Sequence, residues 1–528
     1  MRGMINDCLR RLIAVAIRWL GLLLTLVQTV RMKDFFRSQK RLASKYEITR
    51  ETPIVTFGTE LERPIKEAAA KAGQRGRFAW TSGSTDKPKG ILYTKRRLSS
   101  VKLTYVDYLA RCSWSLKLKR TSLYIFSALG KDDSLTAMLL EEAGMPPYLY
   151  SLQAPYRVHS HPAIQSLATE YGATAVRLWI LAIANPGILY STNPSTLSTF
   201  LDELATEWQR SARLICDWRS KPDAFDPAVH KIARRLKSRG SDARLERIAA
   251  SDSALPLQTC APAVHAYLCW TGGYVKPFLD RLEAYLPADR YRIIPMYSMS
   301  TETVETVGHF VSGQAAFLPL AQHVLYEFTE EGAADNPENL LSADQLRAGK
   351  TYAMVVSDPY GLRRYQTGDV FLCRRFVSGL PDLSFVRRRD LEYSFTGEKI
   401  TSEQLLAVFQ TLRGEYPQLG AERFLTCVPS LPAGETRPHY TIVLVKGDVK
   451  DLGLPADELA TRCNELLGEV NREYKSKYQS GRLGPAEFIL ISQRDLIERL
   501  AGAEKSNAWE SQFKFLPLYR NTWESLKT

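Results

Sequence analysis

Residues 264–270, VHAYLCW, are apolar enough for a buried strand, and Thr271-Gly272-Gly273 closes the run. Beyond the glycines, Val275, Phe278, Leu279, Leu282 and Leu286 recur at the spacing of a core-facing helical stripe. Strand, glycine turn and helix in that order form the repeating unit of an α/β fold, which binds ligands at the carboxyl ends of its strands. The glycines serve either the close approach of a ligand or the turn alone, and the local sequence admits both. SLYIF (122–126), Ile293-Ile294-Pro295-Met296 and YAMVVS (352–357) read as further strands. Ser195-Thr196, after Asn193-Pro194, reads as the cap of a helix running through Leu201 and Leu204.

Three polar stretches could carry chemistry. TSGSTDKPKG (81–90) follows Phe78-Ala79-Trp80 and precedes Ile91-Leu92-Tyr93, so it would join two strands. Gly83 and Gly90 let the backbone turn N–H groups inward, and Ser82, Ser84, Thr85, Lys87 and Lys89 add donors and charge suited to phosphate oxygens. A plain polar hairpin is the alternative, and the GKS or GKT ending of a P-loop is absent. In YSMSTE (297–302), Thr301 and Glu302 offer a hydroxyl and a carboxylate for Mg²⁺ carried on a nucleotide phosphate. Asp369, directly after Gly368, could accept hydrogen bonds from both hydroxyls of a ribose, or could simply belong to a turn.

Charge and cysteine usage narrow the class. The chain carries a net charge of +13 over 528 residues, but residues 1–41 hold nine cations against two acids, over half of the excess. The remainder is mildly basic, as suits an enzyme of anionic substrates, and no basic run interleaves the aromatics of a base-stacking platform; no nucleic-acid partner is expected. The basic run 231–247 reads as the solvated face of a helical segment. Eight scattered cysteines without a CxxC pair argue against a zinc ribbon or disulfide framework and point to a reducing, cytoplasmic setting. His159 and His161 form an HxH with no partner cluster, read as a surface loop. Residues 9–30 are apolar, yet Arg18 leaves only 19–30 free of charge, short of the roughly 20 residues that span a bilayer. They read either as a helix packed on the domain or as a peripheral membrane-surface anchor.

Taken in order, TSGSTDKPKG, Ser300-Thr301-Glu302, Tyr365-Gln366-Thr367-Gly368-Asp369 and Arg388-Arg389-Asp390 resemble the motif series of adenylate-forming enzymes. FLPLAQHVLYEF (317–328), AGKTYAMVVSDPYGLRRYQTGDV (348–370) and LSFVRRRDLEYSFTGEKITSEQL (383–405) resemble, more narrowly, the auxin-responsive acyl acid amido synthetase family of plants and bacteria. The resemblance covers roughly residues 50 to 520. It implies an α/β protein with a basic apolar N-terminal helix (1–45), a large ATP- and acyl-binding domain of helix-flanked sheets (46–388) and a small mobile α+β lid (389–528). It further implies that ATP and Mg²⁺ activate a carboxylic acid as its adenylate and that an amine, an amino acid by preference, takes the acyl group. By the same resemblance, Ser82, Gly83, Ser84, Thr85 and Lys89 wrap the β- and γ-phosphates. Gly272 and Gly273 border adenine with Tyr297, Ser298 and Thr301 nearby, Glu302 holds Mg²⁺, and Asp369 and Arg388 serve the ribose. Asp390 is the hinge, and Lys514, in SQFKFLP (511–517), is the lysine that the lid brings to the carboxylate. The chain departs from the family pattern at Asp86, where glycine is usual, at Ser298, where an adenine-stacking aromatic is expected one residue after Tyr297, and at Gln366, where arginine is usual. Two rival readings keep part of this picture: an acyl-coenzyme A ligase using the same first step, and an inactive membrane-associated relative.

Overall fold

In a computed structural model, the described residues are 2–55, 62–80, 90–126, 158–272, 275–389, 392–396, 398, 400–420, 424–432, 437–446, 455–501, 516–520 and 522–526, with Leu129, Leu135, Met138 and Leu139. Four short parallel strands, β3 (Leu123–Ile125), β4 (Ile188–Tyr190), β5 (Ala266–Cys269) and β6 (Arg292–Pro295), pair in sequence order. The strands β3, β4 and β5 are buried along their whole length, as strands covered on both faces are, while β6 at the edge begins with the exposed Arg292. Pro295 sits at the end of β6, an edge strand, where its missing N–H costs no ladder bond.

Helices from Pro162 to Tyr285 cover one side of this sheet, around Trp179, Phe200 and Leu214. The helix Pro194–Thr206 starts at Pro194, one residue before the cap read from the sequence, because proline's fixed φ suits the first helical turn. The helix Lys276–Tyr285 buries Leu282, with Val275 and Leu286 at its ends. The basic run is split between two helices and is mostly solvated. Arg244 is the exception: it is buried, donates to the carbonyls of Ala182 and Arg239, and desolvation lowers its pKa to about 10. His159 is buried beside the Tyr124 hydroxyl (3.2 Å) rather than on a surface loop, and His161 Nδ1 caps the helix Pro162–Tyr171. Sequence spacing could not show that Tyr124 would reach this loop.

On the other side of the parallel sheet stands a second core. It holds the hairpin β1–β2 (Gly76–Trp80, Gly90–Thr94), the hairpin β7–β8 (Val307–Val311, Gln314–Leu318) and an antiparallel sheet in the order β12-β11-β10-β9 (Leu380–Arg388, Tyr365–Val377, Thr351–Ser357, Leu325–Glu330). Helix α4 (Lys95–Ser115) lies in this core, after α1 (Arg2–Lys33), α2 (Phe35–Lys45) and α3 (Glu62–Lys71). Helix α1 packs along α4 through Ala14, Ile17, Gly21, Gln28 and Met32. A Cβ on Gly21 would lie 2.0 Å from the Ala110 carbonyl oxygen, so only glycine allows this approach.

The C-terminal part has its own core. Strands β15 (Phe424–Ser430), β16 (His439–Lys446) and β17 (Glu487–Ser492) form a mixed sheet, following the two-residue ladder of β13 (Glu392–Tyr393) and β14 (Ile400–Thr401). Helices Ser402–Glu415 and Ala456–Val470 bury Leu405, Phe409, Leu459, Cys463 and Leu467 with Tyr440. A reciprocal Thr401–Gln404 capping box starts the first of these helices. The helix Ala456–Val470 ends before Asn471, whose side chain caps a second helix, Arg472–Gln479, and Val470 is exposed. On the opposite face of this sheet, Leu496, Ile497, Tyr519 and Trp523 meet Phe278 of the N-terminal part, whose ring stacks on Phe424 at 5.4 Å.

Candidate active site

Parallel strands point their unpaired carboxyl ends the same way, and here those ends are laced together. Phe126 N donates to Tyr190 O (2.9 Å), Trp270 N to Thr192 O (3.0 Å) and Met296 N to Cys269 O (2.8 Å). The end of β5 also meets the second sheet. A Cβ on Gly272 would stand 2.9 Å from the Phe385 carbonyl oxygen of edge strand β12, and the Trp270 and Phe385 rings stack at 6.3 Å. Gly272 is therefore needed for the approach of two backbones, a role distinct from that of a free turn.

Across the same junction, Asp369 on β11 pairs in register with Arg388 on β12, with Nε 3.4 Å from Oδ1. Arg388 Nη2 also donates to the Thr367 carbonyl (3.4 Å), and Asp369 N donates to Thr367 Oγ1 (3.2 Å). The two residues expected to serve a ribose thus stand side by side on the β11–β12 ladder, whose Phe385 meets the chain beyond β5.

Beyond β6 the chain forms a tight hairpin. Thr306 N donates to Ser298 O (3.2 Å), Ser298 N to Thr306 Oγ1 (3.0 Å) and Ser300 N to Thr303 O (3.0 Å), leaving Thr301 and Glu302 at the tip. The Tyr93 hydroxyl donates to Thr301 O (2.8 Å) and Arg97 Nη2 to Glu302 O (2.5 Å). Tyr93 lies on β2, and Arg97 is in the first turn of α4. The β1–β2 hairpin, whose ends Trp80 and Gly90 face each other in register, is thereby tied to the carboxylate tip.

Arg97 is buried, flanked by the Tyr93 and Tyr360 rings and 3.8 Å from Asp358. Asp358 accepts from the N–H groups of Tyr360 (2.8 Å) and Leu362 (3.0 Å). Burial raises the Asp358 pKa, and the Arg97 charge opposes that rise. A buried pair with these extra bonds is costly to break on one side only.

Glu305 is the residue that the sequence reading passed over. It is fully buried; Oε2 accepts from Ser298 Oγ (3.0 Å), while Oε1 has no hydrogen-bond partner among the described residues. Burial, then the charge of Asp369 and, more weakly, that of Glu302, push its pKa up to about 8. Three carboxyl groups, two from the hairpin after β6 and one from β11, therefore share one electrostatic environment. An added cation is the natural relief for an acid held in that state. Among the described residues no three His, Cys, Asp or Glu converge to hold a metal unaided, so such a cation would need ligands from elsewhere, as Mg²⁺ on nucleotide phosphates has. The only hint in the sequence was a second glutamate three residues after Glu302.

Tyr297 points into the core, edge-on to Tyr105 (5.6 Å) and Tyr108 (5.2 Å), and burial raises its phenol well above the ordinary value. Stacking on adenine would require that ring to leave the core. Ser298 faces Glu305 instead of offering a flat surface, and Gln366 is spent on Asp335 (2.8 Å), which also accepts from Arg389. Ser82, Gly83, Ser84, Thr85, Asp86, Lys89, Gly273, Asp390 and Lys514 lie outside the described residues. Two residues beyond Lys514 the chain is fixed to β15: Thr426 Oγ1 donates to Leu516 O (2.6 Å), Cys427 N to Pro517 O (2.8 Å) and Tyr519 N to Cys427 O (2.9 Å).

The chain is 25% identical over 255 residues to an indole-3-acetic acid-amido synthetase of Oryza sativa subsp. indica, covering 47% of this chain and 36% of that protein. It is 30% identical over 228 residues to a jasmonoyl–L-amino acid synthetase of Oryza sativa subsp. japonica, covering 42% and 37%. The matched region thus spans about a third of the length of these curated relatives. A solved GH3.15 acyl acid amido synthetase superposes with a TM-score of 0.68 over 97% of this chain and 95% of its own, at 17% identity, which establishes the shared fold. Residues 73–291 match the GH3 family N-terminal domain and residues 317–388 the GH3 family central domain, together more than half of the sequence. The chain belongs to the GH3 family.

Proposed function

We propose that this protein is an ATP-dependent acyl acid amido synthetase, which activates a carboxylic acid as its acyl-adenylate and passes the acyl group to an amine, by preference an amino acid. The observation that carries the reading is the gathering of Glu302, Glu305, Asp369 and Arg388 between the carboxyl ends of one sheet and the edge of another, with the β1–β2 hairpin tied to the same tip. Relatives named as amido synthetases support the acceptor class.

A carboxylate transfers its acyl group poorly because oxide is a poor leaving group. In the first step a carboxylate oxygen would bond to the α-phosphorus of ATP while the bond to pyrophosphate breaks. In the second, the amine nitrogen would bond to the acyl carbon, AMP would leave with the bridging oxygen, and the nitrogen would lose a proton. Asp369 would accept from the ribose hydroxyls, oriented by Arg388 at 3.4 Å. Glu302 would hold Mg²⁺, which when bound neutralises phosphate charge. Residues 82–85, Lys89 and Lys514 would supply further donors at the phosphates, where positioned charge is worth most. Lys514 would approach on the lid, since the chain just beyond it is anchored to β15.

The deciding experiment is ATP–pyrophosphate exchange with pooled carboxylic acids, followed by mass spectrometry of products formed with pooled amino acids and with coenzyme A. Exchange plus amide products is the expected result. Thioester products alone would make the protein a coenzyme A ligase, and no exchange with any acid would overturn the assignment.

A further inference from the structure

Helix α1 has one face packed against the protein and one face that stays exposed among the described residues. Of the large hydrophobic side chains exposed among the described residues, most lie on α1: Leu12 is 69% exposed, Trp19 61% and Val30 66%, with Met4, Ile5, Leu9, Val15, Leu20, Leu23, Leu26 and Val27 filling the stripe between and around them. At 1.5 Å per residue the stripe is about 39 Å long, and its area, on the order of 400 Å² or more, exceeds what scattered surface apolars amount to.

The charges beside the stripe suggest what covers it. At 100° per residue, Arg11 and Arg18 fall along one margin and Arg31 along the other. The sole acid of α1, Asp7, is turned to the packed side and paired with Arg10 at 3.3 Å. Near the first turn of α1, Asn6 Nδ2 donates to Lys237 O (2.8 Å) and Arg239 N donates to Asp7 Oδ2 (3.3 Å), so Arg239 adds a cation there, while the Lys237 ammonium is paired with Asp242 (2.8 Å). A second copy laid stripe on stripe would set these margins against one another, cation on cation with no acid between. An anionic lipid surface would match both: acyl chains for the stripe, headgroups for its margins, and Trp19 at the boundary that indole favours.

We propose that α1 is an in-plane membrane anchor that seats this protein on anionic bilayers while remaining part of the fold. The helix is long and apolar enough to cross a bilayer, but crossing would strip it from α4. The Gly21–Ala110 contact would be lost, as would the bonds from Arg10 to the carbonyls of Ala184 (2.9 Å) and Leu236 (2.9 Å). Lying flat keeps all of these and buries only the free face. The proposal is independent of the catalytic assignment, because lipid binding is read without substrate.

The test is flotation of the full chain with vesicles of phosphatidylcholine alone or with about a third phosphatidylglycerol, alongside size determination by light scattering. The wild type should float with the anionic vesicles. The variant Leu12→Glu/Leu23→Glu/Leu26→Glu, altered only at exposed positions, should lose at least about tenfold in binding with its melting temperature unchanged. Arg11→Gln/Arg18→Gln should lose about tenfold of the preference for anionic over neutral vesicles, and it tests the proposal even if the triple variant misfolds. Wild-type protein that stays unfloated with both vesicles, or equal flotation of all three proteins, overturns the proposal. So does a wild-type dimer that the triple variant makes monomeric without any lipid binding, which would assign the stripe to a second copy.

Discussion

Replacing Glu305 by glutamine should make the protein more stable relative to wild type as the pH rises. Its carboxyl group is fully buried near Asp369 and Glu302, and its pKa lies at about 8 against 4.5 for the free side chain. Between those values the folded protein keeps a proton that the unfolded chain releases, so folding takes one up. Stability contributed by the neutral carboxyl is complete below pH 4.5 and is lost as pH climbs toward 8, at up to about 1.4 kcal/mol per pH unit for one proton. Glutamine keeps the shape without the titration, so wild type and Glu305→Gln should differ little at pH 5 and diverge steadily to about pH 8. For a cooperative unit of roughly 340 residues that slope corresponds to about 2 °C per pH unit in melting temperature. The assay is differential scanning fluorimetry of both proteins in nucleotide- and metal-free buffer from pH 5 to 9, read as the difference between them. Parallel curves, or a gap that closes with rising pH, would refute the claim that Glu305 is held neutral by burial and its acidic neighbours.

Other consequences of the geometry are as direct. Arg97→Met leaves Asp358 buried without its cation and should cost about 3–5 kcal/mol by denaturant unfolding, with part of the loss recovered in Arg97→Met/Asp358→Asn; a variant as stable as wild type would deny the pair any structural weight. Gly272→Ala forces β12 away from the end of β5 and should raise the KM for ATP by about tenfold, the worth of a kcal/mol or two of overpacking; an unchanged KM in the exchange assay would separate that junction from the nucleotide. Lys514→Ala should lower pyrophosphate exchange by on the order of 10²-fold while sparing amide formation from a supplied acyl-adenylate, and retained exchange would remove Lys514 from the mechanism.

What could be read from the sequence was what local pattern determines. The strand at 266–269 and the stripe Val275–Leu282–Leu286 need only apolar spacing, and both are present. Asp369 and Arg388 were placed through motif order, and a cross-strand register then sets them side by side. The Arg97–Asp358 pair was illegible because its partners lie 261 positions apart, and the run 348–370 that holds Asp358 gives no sign of which cation it would meet. Tyr297 could not be oriented in advance: at a strand's end one residue faces the cleft and the next the core, and the sequence does not say which. Glu305 was hidden for a related reason, since an acid three residues from another looks like solvated surface until burial is known. Of the two readings of residues 9–30, packing on the domain is seen in the close approach of α1 to α4, while the membrane-surface reading concerns the other face of the helix and stays a proposal.

The stacking of Phe278 on Phe424 bears on how the two halves of the molecule could part. Among the described residues of that apolar cluster, Phe278 alone comes from the larger half, and it stands in the first turn of the helix that follows the glycine turn. An aromatic pair of this kind contributes about 0.5–1.5 kcal/mol beyond its buried area, roughly one to three times thermal energy at room temperature. Were the C-terminal part to swing as the proposed function needs, this pair and the apolar area buried with it would act as a detent, favouring one resting angle among several.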